Sequence, residues 1–229
     1  MKRFPILDWL FPPRCALCRR PLEGDRQGLC PDCRQNRETL TEGWAKTKAP
    51  FLEGCVSVYL YEGDVRRGIH AFKYRGAVGS GRVFGELLAQ RLAQSGLAPR
   101  VQAVCWVPCH WKTKRRRGYE QAAEIARPMA RQLDLPVMAL LKKTRDTKPM
   151  NKLGAAARRA NVLGAFAADC PPGSLEGLSI LIVDDVYTTG ATLSECARAL
   201  REAGAAHVYG ATFARAGVRR KQKDERKTP

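Results

Sequence analysis

The chain has 229 residues, of which 45% are hydrophobic, and its 40 Lys and Arg against 22 Asp and Glu give a formal net charge of +18. This length and apolar fraction suffice for one ordinary hydrophobic core together with one small satellite domain. The charge indicates a polyanionic partner or an anionic small substrate, with a basic protein that binds no polyanion as the alternative. No run approaches the ~20 apolar residues that a membrane-spanning helix needs, so we expect no membrane insertion.

The N-terminal sequence MKRFPILDWLFPPRC has two basic residues and a short apolar stretch, and therefore loosely resembles a secretory signal. Asp8 interrupts the apolar stretch, Pro12 and Pro13 follow it, and cysteines stand where a cleavage site would have small residues. We interpret this segment as part of the mature protein and expect a cytoplasmic location.

Two closely spaced cysteine pairs distinguish residues 1–45, which we predict to be a separate zinc-binding module. Cys15-x-x-Cys18 and Cys30-x-x-Cys33 are eleven residues apart. Two such pairs complete a tetrahedron of thiolates around Zn²⁺ and leave no open coordination position, so the predicted metal is structural. A redox dithiol or chance clustering is the alternative. The remaining cysteines lack metal-ligand spacing and are expected to be buried free thiols: Cys55, Cys105, Cys109, Cys170 and Cys196.

Residues 50–215 alternate between two kinds of segment, which predicts an α/β fold with a mostly parallel sheet and helices on its faces. The predicted strands are short and rich in β-branched or aromatic residues: 55–61, 103–108, 178–183 and 207–213. The predicted helices are 64–74, 83–94, 119–133 and 189–203. Residues 216–229 have almost nothing apolar to bury, so we predict a disordered basic tail there.

The strand at 178–183 leads into two acidic residues, then into VYTTGATL and a predicted helix. In a parallel sheet this order places the carboxylates at the C-terminal edge, where ligands bind. The carboxylates can accept hydrogen bonds from ribose hydroxyls, while the helix start offers free N–H groups and the positive end of its dipole to a phosphate. The predicted phosphoribosyl-binding residues are Asp184, Asp185, Thr188, Thr189, Gly190, Ala191 and Thr192. The chain has no GxxxxGK[ST] motif, which excludes a P-loop ATPase.

A basic stretch separates the strand at 103–108 from the helix at 119–133, and five of the six residues in 112–117 are cationic. We predict a loop here, at the same edge of the sheet as the acidic pair. Pyrophosphate and a nucleic acid backbone are its candidate ligands, and a solvated basic face is the alternative. The candidate residues are Lys73, Lys112, Lys114, Arg115, Arg116 and Arg117. Three aromatic neighbours can stack on bases or else pack in the core: Tyr74, Trp111 and Tyr119.

The stretch ILIVDDVYTTGAT matches without a gap the signature of the type I phosphoribosyltransferases, an apolar strand, two acidic residues and a T-T/S-G-x-T phosphate loop. The order of LFPPRCALC in the cysteine quartet, FKYRG, VPCH followed by RRRGYEQ, and DDVYTTGAT resembles the ComF family over nearly the whole chain. There are two departures from the family pattern. Glu120 stands where the family usually has Asn, and a carboxylate would repel an anion there. The family also tends to carry Gln near Met150.

The resemblance implies a type I phosphoribosyltransferase-like domain behind a small N-terminal zinc module. It further implies binding of phosphoribosyl pyrophosphate or a related nucleotide, with Mg²⁺, and a homodimer as one mode of assembly. The implied role is in natural transformation, where the protein handles incoming single-stranded DNA beside a DNA-translocating helicase and recombination mediators.

Two other functions remain open at this point. One is a true phosphoribosyltransferase, a glycosyltransferase of pentosyl groups in nucleotide metabolism, with Mg²⁺ and an unidentified acceptor. The other is an adaptor whose zinc module docks a protein partner.

Overall fold

The computed structural model describes residues 12–22, 28–35, 39–40, 45–47, 49–147 and 154–216. The described elements, in chain order, are α1 (Pro31–Gln35), β1 (Ala45–Lys46), β2 (Gly54–Leu60), α2 (Gly63–Tyr74), α3 (Ser80–Gln94), a 3₁₀ turn (Ala98–Arg100), β3 (Ala103–Trp106), α4 (Trp111–Arg117), α5 (Gln121–Gln132), β4 (Leu141–Lys143), α6 (Ala155–Val162), β5 (Phe166–Ala168), β6 (Ser179–Tyr187), α7 (Ala191–Glu202) and β7 (His207–Arg215). Within these ranges no helix is both long and apolar enough to cross a membrane. Met150, the segment before Pro12 and the predicted tail beyond Ala216 lie outside the described residues.

The main sheet has five strands in the order β1-β2-β7-β6-β3. The pairs β2–β7, β7–β6 and β6–β3 are parallel, and β1 joins one edge in the antiparallel direction. The four strands predicted from the sequence are the four parallel strands. The prediction of an α/β fold with a mostly parallel sheet is therefore confirmed.

Both faces of the sheet are buried, which explains why its central strand is apolar at almost every position. Leu181 and Val183 of β6 face a core that contains α2, α3, α5 and the cysteine module, and we call this side the module face. Ile180 and Ile182 face a second core that contains α7, β4 and β5, and we call this side the α7 face. Alternate residues of β6 therefore belong to different cores.

The basic stretch is a helix, α4, where the sequence predicted a loop. Lys and Arg have high intrinsic helix propensity. The helix ends at Gly118, whose φ of 83° lies in the left-handed region and whose N–H donates to the carbonyl of Lys114. A glycine in this conformation is a common helix terminator because it has no Cβ to oppose a positive φ. The prediction of a loop was wrong because it gave weight to the charge of these residues and none to their helix propensity.

The acidic pair lies within β6 instead of following it, because the strand continues to Tyr187. Val186 and Tyr187 are still in register with Ala214 and Arg215 of the neighbouring β7. The sequence analysis also missed the small antiparallel sheet β4–β5, whose strands have only three residues each. Strands this short carry too little periodicity to be recognised.

The cysteine module packs directly on α2 and α3. Its buried Leu17 and Leu29 belong to the same core as Phe72 and Phe84. The contact with α2 occurs at Gly68, where a Cβ atom would stand 2.3 Å from the carbonyl oxygen of Ala16. This close approach of two backbones explains why a glycine occupies the middle of a helix, where it is otherwise unfavourable by about 1 kcal/mol relative to alanine.

The closeness of this contact predicts the effect of Gly68→Ala. Helix propensity alone would stabilise the variant, but the added methyl group overlaps the Ala16 carbonyl. We expect a net loss of about 2 kcal/mol in the free energy of unfolding, since overpacking costs typically 1–3 kcal/mol. Chemical denaturation measures this. Gly79→Ala is the matched control, because a Cβ there meets nothing within 4 Å. Equal stability of the two variants would contradict the docking geometry.

Candidate phosphoribosyl site and metal centre

The acidic pair lies near the C-terminal end of β6, with its two side chains directed to opposite faces of the sheet, as consecutive residues of a strand require. Asp185 is buried on the module face and forms an ion pair with Lys73 of α2, with Nζ and Oδ2 2.7 Å apart. Asp184 lies on the α7 face and is less buried. The pair therefore does not act as one bidentate unit, and each carboxylate has its own surroundings.

Burial raises the pKa of Asp184 to about 7, and the negative charge of Asp185 adds to this effect. The charges of Lys73 and Lys143 and a hydrogen bond of 2.8 Å from the backbone N–H of Asp185 partly oppose it. Asp184 is thus about half ionised near neutral pH. A carboxylate held in this state can accept hydrogen bonds from hydroxyl groups or bind a cation only after it loses its proton.

Lys73 belongs to the acidic pair and not to the basic stretch with which the sequence analysis grouped it. Its side chain is 25% exposed. Burial would lower its pKa, but the adjacent Asp185 carboxylate outweighs burial and raises it. Lys73 is therefore a permanent cation on the module face of the site.

Lys143 is a second lysine of the site, and the sequence analysis missed it. It belongs to β4, and its ammonium group lies 5.4 Å from the centroid of the Phe166 ring and donates to Thr147 Oγ1 at 2.7 Å. Burial lowers its pKa, while the charges of Asp146 and Asp184 oppose this. The adjacent lysines at 142–143 were visible in the sequence, but their significance depends on a strand that the pattern did not predict.

The predicted phosphate loop follows β6 directly. Thr188, Thr189 and Thr192 are partly buried, and α7 begins between them at Ala191. Gly190 has a φ of 76°, and a Cβ atom there would lie 2.5 Å from the hydroxyl oxygen of Tyr187. The loop therefore requires glycine for its conformation and for space. The first turn of α7 presents backbone N–H groups without helical partners, as every α-helix does, so threonine hydroxyls and N–H donors converge beside Asp184.

The helix α4 carries exposed cations at its surface. Its residues Lys112, Lys114, Arg115 and Arg116 are exposed, and Arg117 is half-buried. Lys114 pairs with Glu120 at 3.3 Å and so neutralises the carboxylate that distinguishes this chain from the usual family pattern. Among the described residues, no hydrogen bond or ion pair joins α4 to the 188–192 loop. The structure leaves the proposed pyrophosphate role of α4 as a prediction.

The three aromatic residues near the basic stretch have different environments. Tyr119 packs on Phe72 and donates its hydroxyl hydrogen to the Phe72 carbonyl, so it is part of the core. Trp111 and Tyr74 are 61% and 57% exposed. Lys112 lies 5.8 Å from the Trp111 ring centroid, and the Arg117 guanidinium lies 5.1 Å from that of Tyr74. Two of the three aromatics are thus available to a ligand.

The four cysteines at positions 15, 18, 30 and 33 converge in the module, and all are buried with their sulfur atoms within 4.8 Å of one another. The Sγ atoms of Cys18 and Cys30 are 3.6 Å apart, close to the roughly 3.8 Å that a tetrahedron with Zn–S bonds of about 2.3 Å requires. The N–H of Cys33 points at Cys30 Sγ at 3.5 Å. Burial disfavours the Cys18 thiolate, but hydrogen bonds from the Arg20 backbone and the neighbouring thiols outweigh it and lower its pKa to about 7. The donor set fits a structural zinc ion.

The other cysteines do not form a reactive site. Cys55, Cys105 and Cys196 are buried, as predicted, and Cys109 and Cys170 are half-buried. Burial and the neighbouring Glu120 raise the pKa of Cys109, which disfavours the thiolate that a nucleophile needs.

Comparison with known proteins gives two domain matches. Residues 6–44 match the double zinc ribbon domain, and residues 120–228 match the phosphoribosyl transferase domain. The cysteine quartet falls in the first match and the 184–192 segment in the second.

Several curated relatives match over most of their length. The DNA utilization protein YhgH of Escherichia coli is 30% identical over 204 residues, which cover 85% of this chain and 86% of that protein. Competence protein F of Haemophilus influenzae is 27% identical, with 89% and 97% covered. Competence protein ComFC of Bacillus subtilis is 28% identical, with 84% and 73% covered. Among solved structures, the glutamine phosphoribosylpyrophosphate amidotransferase of B. subtilis superposes with a TM-score of 0.39 at 25% identity, over 58% of this chain and 25% of that one.

The cysteine geometry predicts about one zinc ion per chain by elemental analysis. The double variant Cys18→Ser, Cys33→Ser should lose the metal and unfold at lower temperature, because the module contributes Leu17 and Leu29 to the shared core. Cys170→Ser, outside the module, should keep both the zinc and the unfolding temperature. Retention of zinc by the double variant would exclude this ligand set.

The raised pKa predicts that Asp184→Asn stabilises the protein at high pH. Asp184 has a pKa of about 7 in the folded chain and about 3.9 when unfolded. Its ionisation therefore lowers the free energy of unfolding as pH rises from about 4 to about 7. The asparagine still accepts the Asp185 N–H and carries no charge. We expect it to be more stable by about 2 kcal/mol at pH 8, with no gain at pH 4.

Chemical denaturation at the two pH values measures this difference. Asp169→Asn is the control, because its partly exposed pair with Lys142 should contribute less than about 1 kcal/mol at either pH. A wild type as stable as Asp184→Asn at pH 8 would contradict the burial of this charge.

Proposed function

The chain belongs to the ComF family of phosphoribosyltransferase-like proteins, and from this we propose that it binds the phosphoribosyl group of phosphoribosyl pyrophosphate and handles single-stranded DNA during DNA uptake. Relatives named competence protein F and ComFC support the role in competence. The match to a phosphoribosyl transferase domain supports the ligand class.

One observation carries the phosphoribosyl part of the proposal: Asp184 lies immediately before a threonine-rich turn that opens the 12-residue helix α7. The 5-phosphate accepts hydrogen bonds from the hydroxyls of Thr188, Thr189 and Thr192 and from the N–H groups of the first helical turn, where the helix dipole favours an anion. The ionised Asp184 accepts hydrogen bonds from the ribose hydroxyls. When bound with the ligand, Mg²⁺ neutralises the pyrophosphate oxygens.

The lysines that flank the acidic pair complete the electrostatics of this site. Lys73 fixes Asp185 by their ion pair, so that Asp185 acts as a positioning residue on the module face. Lys143 approaches Asp184 from the α7 face and offers a cation to the departing or bound pyrophosphate. Two lysines matched to two carboxylates leave the empty site close to neutral, and the ligand's negative charge is then balanced by Mg²⁺ and the α7 dipole.

The DNA part of the proposal depends on the exposed surface of α4. Its lysines and arginines can contact phosphates without reading base sequence, and Trp111 and Tyr74 present exposed rings for stacking on bases. The formal charge of +18 supports association with a polyanion. Such binding should weaken steeply as salt increases, since it depends on the release of counterions.

Isothermal calorimetry with phosphoribosyl pyrophosphate and Mg²⁺ tests the pocket. We expect the double variant Asp184→Asn, Asp185→Asn to lose detectable binding, because the ribose hydroxyls and Mg²⁺ lose their anionic partners. The variant Glu86→Gln, Glu202→Gln removes two carboxylates from α3 and α7 outside the site and should bind like the wild type.

The pH dependence of the same titration gives an independent check. Because Asp184 must be ionised to act and its pKa is about 7, we expect the wild type to bind about tenfold more weakly at pH 6 than at pH 8. Unchanged affinity in the Asp184→Asn, Asp185→Asn variant would remove the pocket assignment.

A further inference from the structure

A second cationic site lies between the cysteine module and α2. A cleft of about 490 Å³ opens there, and the charged residues that line it come from both elements. Arg14 and Arg19 belong to the module. The remainder belong to α2 and its C-terminal cap: Arg66, Arg67, His70 and Arg75. We call this site the arginine cleft, and it is separate from both the 188–192 loop and α4.

The lining of the arginine cleft has one sign of charge. It includes five arginines and one histidine, and no carboxylate is among the described residues that line it. Asp64 pairs with Arg67 at 2.5 Å and offsets one of the five charges. Guanidinium groups concentrated in a concave surface repel one another and attract anions, and arginine is the side chain best suited to grip phosphate oxygens with two parallel hydrogen bonds.

Arg19 occupies an unfavourable backbone conformation. Its φ of 67° lies in the left-handed region, which costs a residue with a Cβ about 1 kcal/mol that glycine would avoid. Its side chain reaches across to α3, where Nη1 lies 3.5 Å from Ser80 Oγ, and its carbonyl accepts a hydrogen bond of 3.2 Å from Arg14. The module thus retains an arginine where glycine would fold more easily.

The arginine cleft continues along α2 toward α4. Arg66, His70 and Tyr74 follow one another at four-residue intervals and so form one stripe on the helix. The rings of His70 and Tyr74 are 4.8 Å apart, and Arg117 of α4 covers the other end of the stripe through its contact with Tyr74. Cations and exposed aromatic rings therefore alternate from the module to α4. Such alternation suits a flexible strand whose phosphates and bases are contacted in turn.

We propose that the arginine cleft binds the phosphate backbone of single-stranded nucleic acid, and that Tyr74 stacks on a base where the strand passes from the cleft to α4. This inference rests on the proposed DNA handling and adds the place where the strand lies. It separates two anion sites on one helix, because Lys73 of α2 is directed to Asp185 and serves the phosphoribosyl pocket. The zinc module then acts as one wall of the DNA path.

The test is fluorescence anisotropy of a labelled oligothymidylate of about 20 nucleotides with the full-length zinc-loaded chain over a series of salt concentrations. The variant Arg66→Gln, Arg75→Gln should bind about tenfold more weakly. The slope of log K against log salt should fall by about 1.4, since each lost phosphate contact on a single strand removes about 0.7. Tyr74→Leu should bind several-fold more weakly with an unchanged slope, because a stacked base releases no counterion.

Arg131→Gln with Arg201→Gln is the matched control, because it removes the same net charge from α5 and α7, outside the cleft. It should stay within about twofold of the wild type and keep its slope to within a few tenths. Equal affinities of the control and the Arg66→Gln, Arg75→Gln variant would overturn the cleft assignment, whereas binding of phosphoribosyl pyrophosphate by the wild type would still support the pocket.

Two further outcomes also decide the matter. If the wild type does not bind the oligonucleotide at low salt, the proposed DNA handling fails and the cleft assignment fails with it. If the Arg66→Gln, Arg75→Gln variant loses calorimetric binding of inorganic phosphate but keeps oligonucleotide binding, the cleft is a site for free phosphate and the proposal is wrong. Unaltered zinc content and unfolding temperature of each variant establish that the loss is not a folding defect.

Discussion

The alternation of side chains along β6 is the constraint on which the candidate site depends. Asp184 and Asp185 are adjacent in sequence and so must enter different cores, where each meets a different lysine. Asp185 gains Lys73 at 2.7 Å, while Asp184 keeps a raised pKa of about 7. Two identical residues thereby acquire different properties, one permanently paired and one free to change its protonation when a ligand arrives. Natural sites commonly separate paired acids in this way, through the environment of each.

The helix α2 connects the parts of the protein because each of its faces has a separate task. Gly68 allows the backbone of the cysteine module to approach, Phe72 enters the shared core, and Lys73 turns toward the acidic pair. The remaining face carries Arg66 and His70. A helix repeats every 3.6 residues, so residues close in sequence can serve the core, the pocket and the surface at once. Displacement of α2 would therefore alter all three together.

The parts that the sequence predicted are those with a local signal. Strands such as 178–183 show a continuous apolar run, the loop at 188–192 has a hydroxyl and glycine order, and the four cysteines have regular spacing. What it could not predict depends on contacts between distant segments. Lys143 is significant only because β4 brings it toward Asp184, which is 41 positions later in the chain. The arginine cleft likewise joins residues near position 19 to residues near position 75, and each arginine alone has no distinguishing pattern.

The zinc site and the arginine cleft are physically linked, even though the metal has no open position for chemistry. Arg14 precedes the first cysteine of the quartet and Arg19 follows the second, so the turn that would close around the metal also sets the direction of both side chains. The left-handed conformation of Arg19 persists only where surrounding structure holds it, and four metal–thiolate bonds supply such restraint. Zinc would then contribute to anion binding by fixing two cations opposite α2. A module too small to have its own core can in this way present a rigid charged wall.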